Sequence, residues 1–381
     1  MKADTAKFRT RQEFVKNYTY PKSKKEYIIG LDAGYSSMKC FYEQGHFVFP
    51  SYARRIYEKD LLITDDKDIL YKDHETGELY IIGYTAQDMI ASIDTNDTES
   101  EFFSRKRYGN KIFRILCNTA IGIALQYKTD NRKVYIQTGL PSSYDADKAD
   151  IIRALTHPAH FSVKVGNGPW NEQKLELHKE DIGVMPQPAG AFYSFLITND
   201  GQYIPDAKKY MLSNILVMDI GFGTFDFYGL KSHSIACRES IDEIGMRKVL
   251  NTTIKKIMDE TAEEICLQAL QKNLERGMFT VLNEEEMKTE DVSIVSFLDS
   301  SNDEVFQEAM NRAKSVTGSF RDYNYILVDG GTGEAWFEKI QKYLSGMKNI
   351  KIFPSNLHDG LPFLYSNSRG YYMFRYSTTK K

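Results

Sequence analysis

The stretch YIIGLDAGYSSMK, residues 27–39, decides the fold, because ILVMDIGFGTFDF, residues 215–227, repeats its outline. Each is an apolar run of the kind that forms a buried strand, and each ends in an Asp followed by a turn of small residues. MKCFYE and HFVFP follow the first as further strands, and FDFYGL and SIACR follow the second. Asp32 falls on Asp219 and Gly34 on Gly221. A duplicated three-stranded meander implies two similar α/β domains rather than one long sheet.

A third strand-and-turn unit lies in NYILVDGGTGEAWFEKIQKYL, residues 324–344, where a Gly-rich turn leads into a helix. Further helices are expected over 110–127, 243–261, 262–277 and 302–320, and a buried strand over 133–141. Residues 283–291, NEEEMKTED, read as a solvated acidic loop. Residues 1–25 hold eight Lys and Arg against Asp4 and Glu13 and read as a solvated basic extension. The domains expected are this extension, a first domain over 26–205 plus 350–381, and a second over 206–349.

At 381 residues the chain can bury a large core. Its net charge of −3 gives no reason to expect a polyanion partner, so direct nucleic-acid binding is not indicated. Cys40, Cys117, Cys237 and Cys266 are scattered without CxxC spacing, as expected of reduced thiols in a reducing compartment. His157 and His160 are three apart, but Pro158 argues against a helix and no acidic partner stands near in sequence, so a metal is not expected there. No apolar stretch is long enough to span a bilayer. The protein is therefore expected to be cytoplasmic, without a membrane partner.

The three turns carry the chemistry. Each sets backbone N–H groups at the carboxyl end of a buried strand, where ligands of α/β sheets bind. Gly permits turns that aim successive N–H groups at one point, and Ser or Thr hydroxyls add donors, so such concavities suit phosphate oxygens. A carboxylate beside phosphate is repelled unless a cation lies between them, which makes Asp32 and Asp219 candidates to face Mg²⁺, in part through water. Lys39 lies on the outgoing strand, within reach of a β- or γ-phosphate.

Together GLDAGYSSMK, MDIGFGTFD and LVDGGTGEAWF resemble the two phosphate motifs and the adenosine motif of the actin, heat-shock chaperone and sugar kinase superfamily. Within it, QTGLPSSY (137–144), VMPQPAGAFYSF (184–195) and SNLHDGLPFLYSNSRGYYMF (355–374) resemble the bacterial plasmid-segregating actins of the ParM type. The resemblance implies an actin-like fold: two duplicated ribonuclease H-like domains with a nucleotide cleft between them. It implies a phosphate loop of Gly34, Tyr35, Ser36 and Ser37 with Lys39, and a second of Gly221, Gly223 and Thr224. Gly330, Gly331 and Thr332 would approach the adenosine, Lys272 would flank the base, and Gln187 would orient the attacking water. Asp329 and Thr332 depart from a plainer glycine run, so the nucleotide is ATP or GTP. Bulky Phe222 stands within the second turn, which is expected to point it away from the phosphates. The function implied is an ATPase that forms head-to-tail filaments and moves plasmid DNA through a DNA-bound adaptor protein. The rivals are a small-molecule kinase of the same fold and a cell-shape or division actin.

Overall fold

The computed structural model describes residues 5–60, 64–89, 105–283 and 286–379. The class is α/β, as the alternation of strands and helices predicts. The first expected meander forms as β2 (Glu26–Ala33), β3 (Ser37–Tyr42) and β4 (Gly45–Pro50). It is extended by β8 (Lys133–Leu140) and β11 (Ile182–Pro186), parallel to β2, and by β1 (Glu13–Lys16) on the other edge. The order is β1-β4-β3-β2-β8-β11. Above it sits a smaller antiparallel sheet ordered β10-β9-β6-β7-β5. Its strands are β5 (Ala53–Ile56), β6 (Ile69–Asp73), β7 (Leu79–Ile82), β9 (Ala159–Val165) and β10 (Asn171–Leu175).

The second meander is β12 (Ile215–Ile220), β13 (Thr224–Lys231) and β14 (Ser234–Asp242), completed by β17 (Tyr325–Asp329) and β18 (Lys351–Pro354) in the order β14-β13-β12-β17-β18. Three boundary expectations change. Strand β18 pairs in parallel with β17, so the chain is still in the second sheet at residue 354 and not back in the first domain at 350. The expected acidic loop is instead a two-stranded ribbon, β15 (Met278–Asn283) with β16 (Lys288–Ser293), whose polar side faces water. The basic extension, where described, is not a free tail. Strand β1 pairs with β4, Tyr20 is 1% exposed, and Phe8 enters the second sheet's core.

Helices cover both sheets: α1 (Tyr84–Asp88), α2 (Lys111–Leu125), α3 (Lys148–Leu155), α4 (Gln187–Leu196), α5 (Ala207–Leu212), α6 (Met246–Thr261), α7 (Leu267–Asn273), α8 (Val295–Thr317), α9 (Gly331–Tyr343) and α10 (Ser366–Thr379). The helix expected over 262–277 shrinks to α7, because Ala262 takes a left-handed conformation that stops α6 and Gly277 another that ends the next turn. Helix α10 lies across β2 and α4 so closely that a Cβ at Gly30 would sit 2.0 Å from the Ser368 carbonyl oxygen. Among the described residues no helix is long and apolar enough to cross a membrane.

Candidate functional site

Because β2, β12 and β17 all run into turns at their carboxyl ends, the three turns converge on one cavity of about 890 Å³ between the two large sheets. Asp32, Gly34, Tyr35, Ser36, Ser37, Lys39, Gln187, Asp219, Gly221, Thr224, Gly330, Gly331 and Thr332 all line it. Gly223 is not in the lining, but it lies next to the first turn, where a Cβ built on it would be 3.3 Å from the Tyr35 ring. Lys272 does not reach the cavity. On α7 residues Leu267 to Gln271 are buried, and Lys272 projects to solvent on the next position.

The first turn is locked by backbone bonds, Gly34 N–H to Ser37 C=O at 3.1 Å and Ser51 N–H to Ser36 C=O at 2.9 Å. Gly34 is required by space, since a Cβ there would meet the Ser37 carbonyl oxygen at 2.8 Å. Asp32 and Lys39 are cross-strand partners, and Lys39 Nζ lies 3.2 Å from Asp32 Oδ2. Gln187, the first residue of α4, donates from Nε2 to Asp32 Oδ1 at 3.2 Å.

The second and third turns are wedged together. Gly330, at φ 84°, brings its backbone so close that a Cβ would meet Asp219 Oδ1 at 2.6 Å, and Thr332 Oγ1 donates to Gly221 C=O at 2.7 Å. Gly245, at φ 135°, backs the second turn from behind, 2.4 Å from Gly221 C=O by the same measure. Thr224 spends its hydroxyl proton on Asp226 Oδ2 at 2.7 Å. Phe222 lies on the cavity wall and packs partly against the second core.

The electrostatics are lopsided. Asp219 is buried beside Asp329 and Asp226, and its listener on the protein side is the Asn367 amide at 2.7 Å. Burial first, then Asp329 and Asp226, push its carboxyl well above the usual carboxylate range. Burial likewise raises Asp329, whose Oδ1 accepts from Ser355 while Oδ2 has no hydrogen-bond partner among the described residues. Asp226 is raised by burial to about 6. Crowded buried carboxylates with an unspent oxygen suit a hard, oxygen-preferring divalent cation.

Sequence reasoning missed four contributors. Asn367 lies within the quoted run 355–374 but was not singled out there, and Gly245 belongs to no motif-like run. Arg107, from the basic stretch SRKRYGNK, lines the cavity beside Tyr35. Phe8, Arg9, Thr10 and Arg11 form a strap on its wall, with Arg9 over the Tyr84 ring and ion-paired to Glu275, and Tyr84 Oη donating to Thr10 C=O. The histidine pair also differs from expectation. His160 meets Glu172 at 2.7 Å across the β9–β10 ladder and stacks near His74, while His157 stays apart. The donor atoms of His74, His160 and Glu172 lie within 4.8 Å of one another, far from the cleft lining.

Residues 30–190 match the family described as "Actin like proteins N terminal domain". No curated protein matches the chain. Among solved structures, a non-polymerisable quadruple mutant of pCBH ParM is 20% identical over 92% of this chain and 99% of its own, with a TM-score of 0.70. A 15-stranded ParM filament from Clostridium botulinum is 19% identical with the same coverages and a TM-score of 0.69. The archaeal actin homolog Ta0583 in complex with ADP is 14% identical over 92% of this chain and 99% of its own, with a TM-score of 0.60. The chain has the actin-like fold seen in these structures, and residues 30–190 of it match the actin-like N-terminal domain family.

Proposed function

We propose that the cleft binds a nucleoside triphosphate, ATP or GTP, with Mg²⁺, and that the bound form assembles head to tail into filaments. The observation that carries the reading is the convergence of the three turns on one cavity, with buried carboxylates beside the small-residue turns. Asp32 and Asp219 would hold the ion, with Asp329 behind them. The ion would neutralise phosphate charge and polarise the terminal phosphoryl group.

The chain's own residues do the rest. Ser36, Ser37 and Lys39 grip from the first domain, and Gly221, Gly223 and Thr224 from the second. Gln187 has its Nε2 committed to Asp32, which leaves its carbonyl oxygen to orient a water by accepting a proton bond. Because ligand contacts come from both sheets, a bound triphosphate favours the closed arrangement, and loss of the last phosphate weakens it. Head-to-tail contacts do not close on themselves and so propagate. That a Clostridium botulinum relative by fold is a filament, and Ta0583 an ADP complex, supports this reading. We assign the biological role to plasmid DNA segregation through an adaptor protein. The test is to add ATP and Mg²⁺ and follow light scattering and pelleting. Absence of nucleotide-dependent assembly over a range of protein concentrations would defeat the filament reading and favour a small-molecule kinase.

A further inference from the structure

Arg107 sits 2% exposed at the cavity wall, outside every motif that marks the cleft. Its guanidinium lies 4.1 Å from the centre of the Tyr35 ring, flat against the first turn. One nitrogen, Nη2, donates to the Ala33 carbonyl at 2.8 Å, the residue that opens that turn. Tyr108 and Phe113 close the other sides, at 5.1 and 5.5 Å from the guanidinium carbon. Nε and Nη1 are buried with no hydrogen-bond partner among the described residues, and no carboxylate among them pairs with the side chain.

A buried guanidinium with two unspent donors is costly to the folded chain, because desolvation is not returned by a partner. Its fork geometry matches an oxyanion with two oxygens in one plane. The neighbouring anions of the cavity, Asp32 and Asp219, are already engaged with Lys39 and Asn367. The anion that fits must therefore arrive with the ligand and seat beside Tyr35.

We propose that Arg107 is a phosphate-binding residue of this cleft, contacting the phosphate seated on the first turn, with Tyr35 holding its guanidinium plane in place. This rests on the nucleotide reading above. Lys39 then approaches that phosphate along the strand and Arg107 from behind the turn, so the first domain supplies two cations and the second none.

The test compares wild type, Arg107→Met and Arg107→Lys for Mg²⁺–ATP affinity with a fluorescent analogue, and for melting temperature with and without Mg²⁺–ATP. Arg107→Met is expected to bind at least about tenfold more weakly. Without nucleotide it should melt close to wild type, because loss of the Ala33 and ring contacts is offset by removing a buried charge with two unspent donors. A purely structural role predicts the reverse: a lower melting temperature without nucleotide and an unchanged affinity, and that result would overturn the proposal. If the Met variant does not fold, the Lys variant decides. A loss of several-fold in affinity supports the proposal, since an ammonium cannot make the forked contact, and wild-type affinity refutes it. Wild type that binds no nucleotide at all would sink the nucleotide reading itself, a separate outcome.

Discussion

The two meanders share a path but not an environment. In the first, every residue of β4 is buried, because β1 pairs along its outer edge and Phe14 stacks on Phe47 at 5.6 Å. In the second, β14 is the bare edge of its sheet and most of it is exposed. The turns differ in the same sense. Asp32 has a lysine across the ladder and a glutamine amide on its other oxygen, whereas Asp219 has one amide and two more carboxylates for company. The two halves share a backbone path, but packing leaves the first turn self-neutralised and the second with its buried carboxylates unopposed by a protein cation. A ligand that bridges the halves therefore completes the second turn more than the first.

The largest effect should come from removing the carboxylate that lacks its own cation. Asp219→Ala is expected to cut phosphate release on the order of 10²–10³-fold while pelleting with ATP persists as long-lived filaments. Phosphate release at the wild-type rate would show that Asp219 has no part in hydrolysis.

Next in size is an exchange between the first strands. Aligning Asp32 with Asp219 sets Gly30 on Val217. Gly30 meets the backbone of α10, with the Ser368 oxygen at 2.0 Å and the Tyr372 nitrogen at 3.0 Å from a built Cβ, whereas Val217 fills the apolar layer with Ala191 and Leu327. Backbone cannot move aside as a side-chain tip can. Gly30→Val should lose at least about 3 kcal/mol, read as a lower denaturant midpoint, and Val217→Gly about 2–3 kcal/mol by emptying buried volume. Similar small losses for both would mean that α10 does not discriminate the two halves.

A smaller effect is expected when the first turn is made to resemble the second. Lys39→Met strips Asp32 of its cation and the ligand of one donor. Affinity for Mg²⁺–ATP should drop about 10- to 30-fold, and the free Mg²⁺ needed for half-maximal binding should rise. Unchanged Mg²⁺ dependence would break the contrast drawn between the turns.

Much of this was legible beforehand and some was not, for reasons particular residues make plain. The duplicated Asp-and-turn pattern exposed the fold, because a buried strand and a glycine turn leave local traces in sequence. The strap was misread since its contacts, β1 on β4 and Phe8 in the distant core, are long-range, while its charge is local. Arg107 left no trace because its meaning depends on Tyr35, more than seventy positions away by chain but 4.1 Å away in space. Lys272 lies on the exposed side of α7, a helix that contributes no residue to the cavity lining, and which helix reaches the cleft is set by tertiary packing. His160 lacked a partner in its own stretch, and Glu172 arrived only through strand pairing.

The covered edge of the first meander yields the last contrast. His46 on β4 is 3% exposed, with its Nδ1 3.0 Å from the Tyr20 hydroxyl and its ring edge-on to Tyr365 at 4.6 Å. Burial lowers its pKa to about 4. The folded state thus binds this proton less readily than the unfolded chain, whose histidine titrates near ~6.5. Stability from this site is complete above the unfolded value and is lost as pH falls towards the folded one. The loss should be roughly 1 kcal/mol by pH 5.5 and approach ~3 kcal/mol near pH 4. Denaturant midpoints at pH 7.5 and 5.5 will measure it: wild type should weaken on acidification, and His46→Gln should show a slope smaller by up to one proton. Equal slopes in the two proteins would mean that His46 takes up its proton inside the fold, and that β4 is as open to water as β14.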